Sequence, residues 1–301
     1  MHMSVSDSSS VQTDLLPRLE PLAARYDHLI VDLWGTLHNG IHPLPGAVEC
    51  LAAFKAAGTG VALLSNAPFR VSGVRTVLGQ IGIPDTIYED IFCSGEVAWH
   101  AIRKREDAWH SKLGRRAAFI GPDRHRPMLD NPGIDGEAEI AEADFVICTG
   151  PRDMGHTLEM YLPELEAAAA RGLPMVCTNP DREVLRGDAR EICAGAMAEA
   201  YESRMGGDVA WHGKPYRPVF DEVMRSIGSP DQSRVLMIGD GLATDIAGAA
   251  AAGLDSAFVV SGIAGEKLGV SYGDLPSAEK LADILAAAPA APTYAIPGLI
   301  W

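Results

Sequence analysis

The strongest constraint in this chain is a rhythm in which short apolar, β-branched runs alternate with segments of helical periodicity. Strands are expected at 28–33, 60–65, 116–121, 143–149, 174–178, 234–239 and 255–260. Between the first two, 46–57 carries Val48, Leu51 and Lys55 at helical spacing and is closed by Gly58. Two more helices are expected. One covers 69–81, with Val71, Val74, Leu78 and Ile81 on one face, and the other covers 216–227, with Val219, Val223 and Ile227 before Gly228. Strand–helix alternation of this kind implies an α/β fold, a parallel sheet covered on both faces. The 301 residues suffice for two domains or one large one. Ligands of such sheets sit at the carboxyl ends of the strands, so the strand exits are where chemistry is expected.

Several function classes are disfavoured by bulk properties. A net charge of −15 argues against nucleic acid or an anionic membrane as the main partner, since both demand a basic face. It leaves room for a phosphorylated small molecule, because a metal and one or two cations reverse the potential locally. Cysteines at 50, 93, 148, 177 and 193 form no Cys-x-x-Cys, so buried reduced thiols in a cytoplasmic protein are expected. No run approaches a membrane span. The start, residues 1–14, resembles neither a signal peptide nor a folded element and is expected as a disordered lead-in. The end, residues 291–301, is a Pro-containing tail finishing in Leu299, Ile300 and Trp301. Two readings of it stay open, a strand of chain lying on its own domain and a subunit contact.

The strand exits converge on one chemistry. "HLIVDLWGTLHNG" delivers Asp32, with Gly35 and Thr36 in the turn, and a carboxylate at the end of a buried strand is costly unless something uses it. "ALLSNAP" delivers Ser65 and Asn66. "VLMIGDGLATDIAGA" delivers Asp240, with Asp245 five residues later, and "HGKPYRPVF" places Lys214 before a helix. A carboxylate nucleophile, a hydroxyl and an amide, a lysine and two further carboxylates are what an aspartate needs to attack phosphorus. Hard oxygen ligands suit Mg²⁺, and Lys with Ser and Asn suit the phosphoryl oxygens that the metal does not hold.

In this order the motifs "DLWGT", "LLSN", "GKP" and "GDGLATD" resemble those of the haloacid dehalogenase superfamily of aspartate-nucleophile hydrolases. The likeness covers roughly residues 25–290. It implies a doubly wound, Rossmann-like core, Asp32 as nucleophile and Lys214 on the phosphate. It also implies Mg²⁺ held by Asp32, the Trp34 carbonyl and Asp240, with Asp245 behind them. Only 33 residues separate Asp32 from Ser65, whereas 148 separate Asn66 from Lys214, so an inserted cap belongs in the second gap. There, "PMVCTNPDREV" resembles the cap signature of the NagD-like branch, and "HNG" fits that branch's hairpin flap, Asn39-Gly40 being itself a hairpin-turn signal. The resemblance therefore implies a discontinuous hydrolase core at 15–110 and 208–290 and a smaller α/β cap at 111–207. The cap is expected to close over the site, with Gly206 and Gly207 as hinges and with Asn179 and Asp181 nearest the ligand. Tyr161 and Tyr201 of the cap are open to two readings, stacking on a ligand ring and packing.

Trp34 departs from the pattern. Members of the superfamily usually carry a second Asp there, which protonates the leaving oxygen and later deprotonates the hydrolytic water. An indole can do neither near neutral pH, although the backbone carbonyl survives. Three readings stay open. Another group takes over, His38 in the flap first and His212 second; or the substrate has a leaving group that needs no acid; or the chain binds a phosphorylated ligand and hydrolyses it poorly. Dehalogenation, which also tolerates an aromatic there, conflicts with the cap position and would waste Asp240 and Asp245. The expected activity is Mg²⁺-dependent hydrolysis of a small phosphorylated metabolite, with a homodimer left open.

Overall fold

The computed structural model describes residues 13–186 and 189–301, so the expected lead-in lies outside the described residues apart from its last two. In chain order the first strands are β1 (Asp14–Leu15), β2 (His28–Val31), β3 (Gly60–Ser65), β4 (Asp90–Cys93), β5 (Arg116–Ile120), β6 (Gly136–Glu137) and β7 (Phe145–Cys148). They continue as β8 (Met175–Cys177), β9 (Glu183–Arg186), β10 (Ala189–Ile192), β11 (Val209–Trp211), β12 (Val235–Gly239), β13 (Asp255–Val259) and β14 (Tyr294–Ile296). The principal helices are α1 (Ala47–Ala56), α2 (Val71–Gln80), α3 (Ser94–Lys104), α4 (Leu162–Ala170), α5 (Ala194–Met205), α6 (Arg217–Ser226) and α7 (Ala247–Ala252). Each strand and helix expected from the sequence is present within two residues at either end.

Two parallel sheets organise the chain. The larger has the order β1-β14-β13-β12-β2-β3-β4. Its strands are apolar on both faces, as crossover helices require. Leu29, Val31, Val61 and Leu63 pack with α1 and α2, while Ile30, Ala62, Leu64 and Met237 pack with α6 and α7. This is the doubly wound arrangement. Its strand order reverses between β12 and β2, which opens a crevice at their carboxyl ends.

The smaller sheet has the order β11-β8-β7-β5-β6. One face packs on α4 and α5 through Ile120, Val146, Leu165 and Met197. The other packs on α3, where Ala98, Trp99 and Ile102 meet Phe119, Phe145 and Val176. An antiparallel hairpin, β9–β10, completes this part.

Three expected boundaries are corrected. The smaller sheet recruits α3 and β11, both outside 111–207, because its second face needs a helix and its edge needs a partner for β8. The end of the chain is no appendage: β14 pairs with β13 and β1, Leu299 is fully buried, and the Trp301 ring meets Phe54 edge to face at 5.0 Å. The tail thus lies as a strand of chain on its own fold. Asp14, assigned to the lead-in, begins β1 and pairs with Tyr294. Among the described residues no helix is long and apolar enough to cross a membrane.

Candidate active site

Asp32 follows β2 and Asp240 follows β12, so the two flank the switch point of the larger sheet. Asp245 lies in a π-helical turn, Leu242–Ile246, that leads into α7. All three carboxylates are buried, and an oxygen of each lies within 4.8 Å of the others. Glycines let the turns come this close. Gly35 has φ +79°, and a Cβ there would fall 2.2 Å from Asp240 Oδ2. At Gly262 the corresponding clash would be 2.0 Å.

One ammonium enters this cluster. Lys214 Nζ bonds Asp32 Oδ1, lies 2.7 Å from Asp245 Oδ1 and donates to the Leu64 carbonyl at 3.1 Å. Burial opposes its charge, but Asp245 and Asp32 outweigh it and hold the group well above the usual lysine range. The carboxyls shift upward. Burial is the main cause at Asp32, against the pull of Lys214. Asp240 is raised well above the usual range by burial and then by Asp32 and Asp245, and burial pushes Asp245 up to about 6. One lysine cannot neutralise three buried carboxylates. The excess negative charge, carried on hard oxygens, fits a divalent cation such as Mg²⁺.

Asn66 acts as a clamp. Its Oδ1 accepts from the Lys214 backbone N–H at 2.8 Å, while Nδ2 donates to the Lys214 carbonyl at 3.1 Å and to Asp181 Oδ1 at 2.9 Å. Asp181 comes from the loop after β8, where Asn179 Oδ1 accepts from its backbone N–H at 2.9 Å. Burial raises the Asp181 carboxyl, against the hydrogen bond from Asn66. Thr178 donates to the Pro68 carbonyl at 3.1 Å, a second tie between the two sheets' loops. Ser65 lines the same cavity, and its Oγ accepts from Ala67 N–H at 3.1 Å.

Trp34 and His38 pack edge to face at 5.3 Å, and the indole lies against Gly40, where a Cβ would be 2.4 Å from the ring. His38 Nδ1 accepts from Gly40 N–H at 3.0 Å, and burial pushes the imidazole down to about 4. At neutral pH this ring is uncharged, with its proton on Nε2. His212 is also buried and neutral, pushed down to about 3 by burial and by His110. The two rings meet at 3.1 Å, and the Asp107 carboxylate lies 2.6 Å from His110 Nδ1.

A cavity of about 350 Å³ joins these groups. It is lined from the larger sheet by Asp32, Trp34, His38, Ser65, Asn66, Lys214, Asp240 and Asp245, and from the smaller by Asn179, Asp181, His125 and Thr149. His125 and Thr149 were missed at the sequence level, although both follow strands and the strand-exit rule applied to 116–121 and 143–149 reaches them. Tyr161 and Tyr201 take the packing alternative: both are buried in the smaller sheet's core, and Tyr201 donates to the Leu173 carbonyl at 2.6 Å. His212 is absent from the cavity lining. The five cysteines are buried and unpaired.

Fold and cavity together define an α/β protein in which two parallel sheets present their strand ends to one cavity. The chain belongs to the haloacid dehalogenase-like hydrolases, in their NagD-like branch. The family model described as haloacid dehalogenase-like hydrolase matches residues 29–135, a second so described matches 127–253, and one described as HAD-hydrolase-like matches 211–297. A crystal structure of a haloacid dehalogenase-like hydrolase from Brucella suis is 34% identical, covers 95% of this chain and 100% of its own, and superposes with a TM-score of 0.80. The 5'-nucleotidase YutF of Bacillus subtilis is 27% identical over 245 residues, which is 79% of this chain and 88% of the relative. The ribonucleotide monophosphatase NagD of Escherichia coli is 25% identical over 243 residues, 78% of this chain and 88% of its own.

Proposed function

We propose that this protein is a Mg²⁺-dependent phosphatase of a small phosphorylated metabolite that works through an aspartyl-phosphate at Asp32. One observation carries the reading: a buried Lys214 ammonium bridges Asp32 and Asp245 at the switch point, with Asp240 completing a carboxylate cluster of excess negative charge. Relatives whose names describe a 5'-nucleotidase and a ribonucleotide monophosphatase support phosphate-ester chemistry.

Asp32, Asp240 and the Trp34 carbonyl would hold the cation, with Asp245 behind them. When bound, it supplies positive charge to the phosphoryl oxygens. Asp32 attacks phosphorus, the ester oxygen leaves with the bonding pair, and water later cleaves the Asp32–phosphate anhydride to regenerate the carboxylate. Lys214 holds Asp32 in position and contributes charge to the phosphoryl group. Ser65 supplies a hydroxyl at the cavity wall. Asn66 serves as the clamp that orients Lys214 and docks Asp181, with Asn179 shaping that loop. His38, neutral and with Nδ1 occupied, offers an Nε2–H hydrogen bond and no imidazolium proton. The proton relay is therefore weak, and substrates with good leaving groups are favoured.

The cap, expected at 111–207 and extended here by α3 and β11, is proposed to close on the core through the Asn66–Asp181 bond. Gly206 and Gly207 lie at one linker, and the His110–His212 contact joins the two linkers. The neutral His38 also favours a second reading, a binding protein of low turnover. Phosphate release from a panel of phosphorylated metabolites, with and without Mg²⁺ and in Asp32→Asn, separates the two. Mg²⁺-dependent turnover lost in the variant supports the phosphatase, and tight binding without turnover supports the alternative.

A further inference from the structure

The smaller sheet has a switch point of its own. β5 has β6 on one side and β7 on the other, so the strand order reverses between β5 and β7. Crevices at such reversals are where parallel sheets take ligands. The exits here carry His125, beyond β5, and Thr149, directly after β7, and both line the cavity that holds Asp32 and Lys214.

The His125 ring is 5% exposed and packs on Phe69 at 4.8 Å between centroids, tilted by 32°. Its Nδ1 lies 3.2 Å from Thr149 Oγ1. The Thr149 hydroxyl donates its single proton to the Ile120 carbonyl at 3.5 Å, so it accepts from Nδ1–H. We take the ring in that tautomer, with its proton on Nδ1. Nε2 is then a bare acceptor, buried and without a partner in the protein. Burial, with Arg124 adding to it, holds the imidazole down to about 3, so no charge develops at neutral pH. A neutral lone pair repels a carboxylate or a second phosphate and accepts a hydrogen bond from a hydroxyl.

We propose that His125 Nε2 accepts a hydrogen bond from a hydroxyl on the organic part of the substrate, making His125 a specificity-determining residue for polyol or sugar phosphates. The inference rests on the phosphatase reading above. Thr149 acts as the positioning residue that fixes the ring's proton, and Phe69 holds the ring plane.

Calorimetric titration in Mg²⁺ tests it with glycerol phosphate, ribose phosphate and a hexose phosphate, each against an alkyl phosphate without hydroxyls. Turnover of 4-nitrophenyl phosphate, run alongside, reports separately on the phosphatase reading. The expected result is that at least one hydroxylated phosphate binds about tenfold tighter than the alkyl phosphate, as one added hydrogen bond gives. The preference should collapse in His125→Phe, which keeps a ring on Phe69 and loses the acceptor, and persist in part in His125→Gln. If His125→Phe does not fold, Thr149→Val replaces it, because releasing Nδ1 lets the proton move to Nε2 and should weaken the same preference. No preference in the wild type, or a preference that survives loss of the acceptor, overturns the proposal even if 4-nitrophenyl phosphate is hydrolysed. An equal loss for alkyl and hydroxylated phosphates overturns it in favour of a purely structural ring.

Discussion

Exchange of Asp240 for Asn should make the protein more stable without metal and less responsive to it. Oxygens of Asp32, Asp240 and Asp245 lie within 4.8 Å of one another. Two unit charges at that separation repel by ~3 kcal/mol at an effective dielectric of ~20. Lys214 offsets part of this, and Asp240, whose carboxyl is raised well above its usual range, relieves more by taking up a proton. The amide oxygen of Asn keeps the 2.8 Å bond from Ile263 N–H. The net gain expected for the metal-free variant is ~1–3 kcal/mol near pH 8. Saturating Mg²⁺ reverses the comparison, since ligand at a hundred times its Kd stabilises the wild type by ~2.7 kcal/mol and the variant far less. Urea midpoints with and without Mg²⁺, at unchanged m-value, measure both effects. A metal-free Asp240→Asn that is less stable than the wild type, yet gains as much from Mg²⁺, would refute the charge-excess account.

Three further outcomes are expected. Aryl and acyl phosphates should turn over faster than alkyl phosphates, and Trp34→Asp should raise alkyl-phosphate turnover by up to ~10²–10⁴-fold; no gain with Mg²⁺ binding intact would contradict the missing-acid argument. Leu299→Ala should cost ~2–5 kcal/mol of stability in a thermal or urea melt, because that side chain is fully buried in the core between the larger sheet and α1 and α2, and a neutral effect would mean the terminal segment is not part of the fold. His212 is pushed down to about 3 in the folded state, below its unfolded value, so its contribution is complete above roughly pH 6.5 and is lost as pH falls toward 3. The stability of His212→Gln relative to the wild type should therefore rise by ~1.4 kcal/mol per pH unit on going from pH 6 to 4, and parallel pH profiles would count against a buried neutral ring.

At the strand exits, the residues singled out from the sequence come together in the structure. Asp32, Ser65, Asn66, Lys214, Asp240 and Asp245 were all legible because each follows a strand or opens a helix whose periodicity is strong, and all line one cavity. The contacts of Asn66 and Asp245 were less legible. Asn66 uses its amide on Lys214 and Asp181, and Asp245 pairs with the lysine, which are contacts across 148, 115 and 31 positions that no local pattern announces. Short strands escaped for a related reason. β4, β11 and β14 span three or four residues and owe their conformation to the strands beside them, whereas the equally short β2, β7 and β8 sit inside the apolar runs read at 28–33, 143–149 and 174–178. The smaller sheet's exits at His125 and Thr149 were readable by the same rule as Asp32, but neither residue type is unusual in a turn.

Asp32 as the covalent nucleophile is the claim on which the rest depends. The most direct test is a rapid-quench reaction with an aryl phosphate in Mg²⁺, followed by mass spectrometry of the peptide that contains residue 32. The account predicts a phosphoryl adduct on Asp32 that accumulates within the first turnover, because hydrolysis lacks an efficient base, and that is absent in Asp32→Asn. Turnover at full rate with no adduct at any quench time, or turnover undiminished in Asp32→Asn, would contradict it.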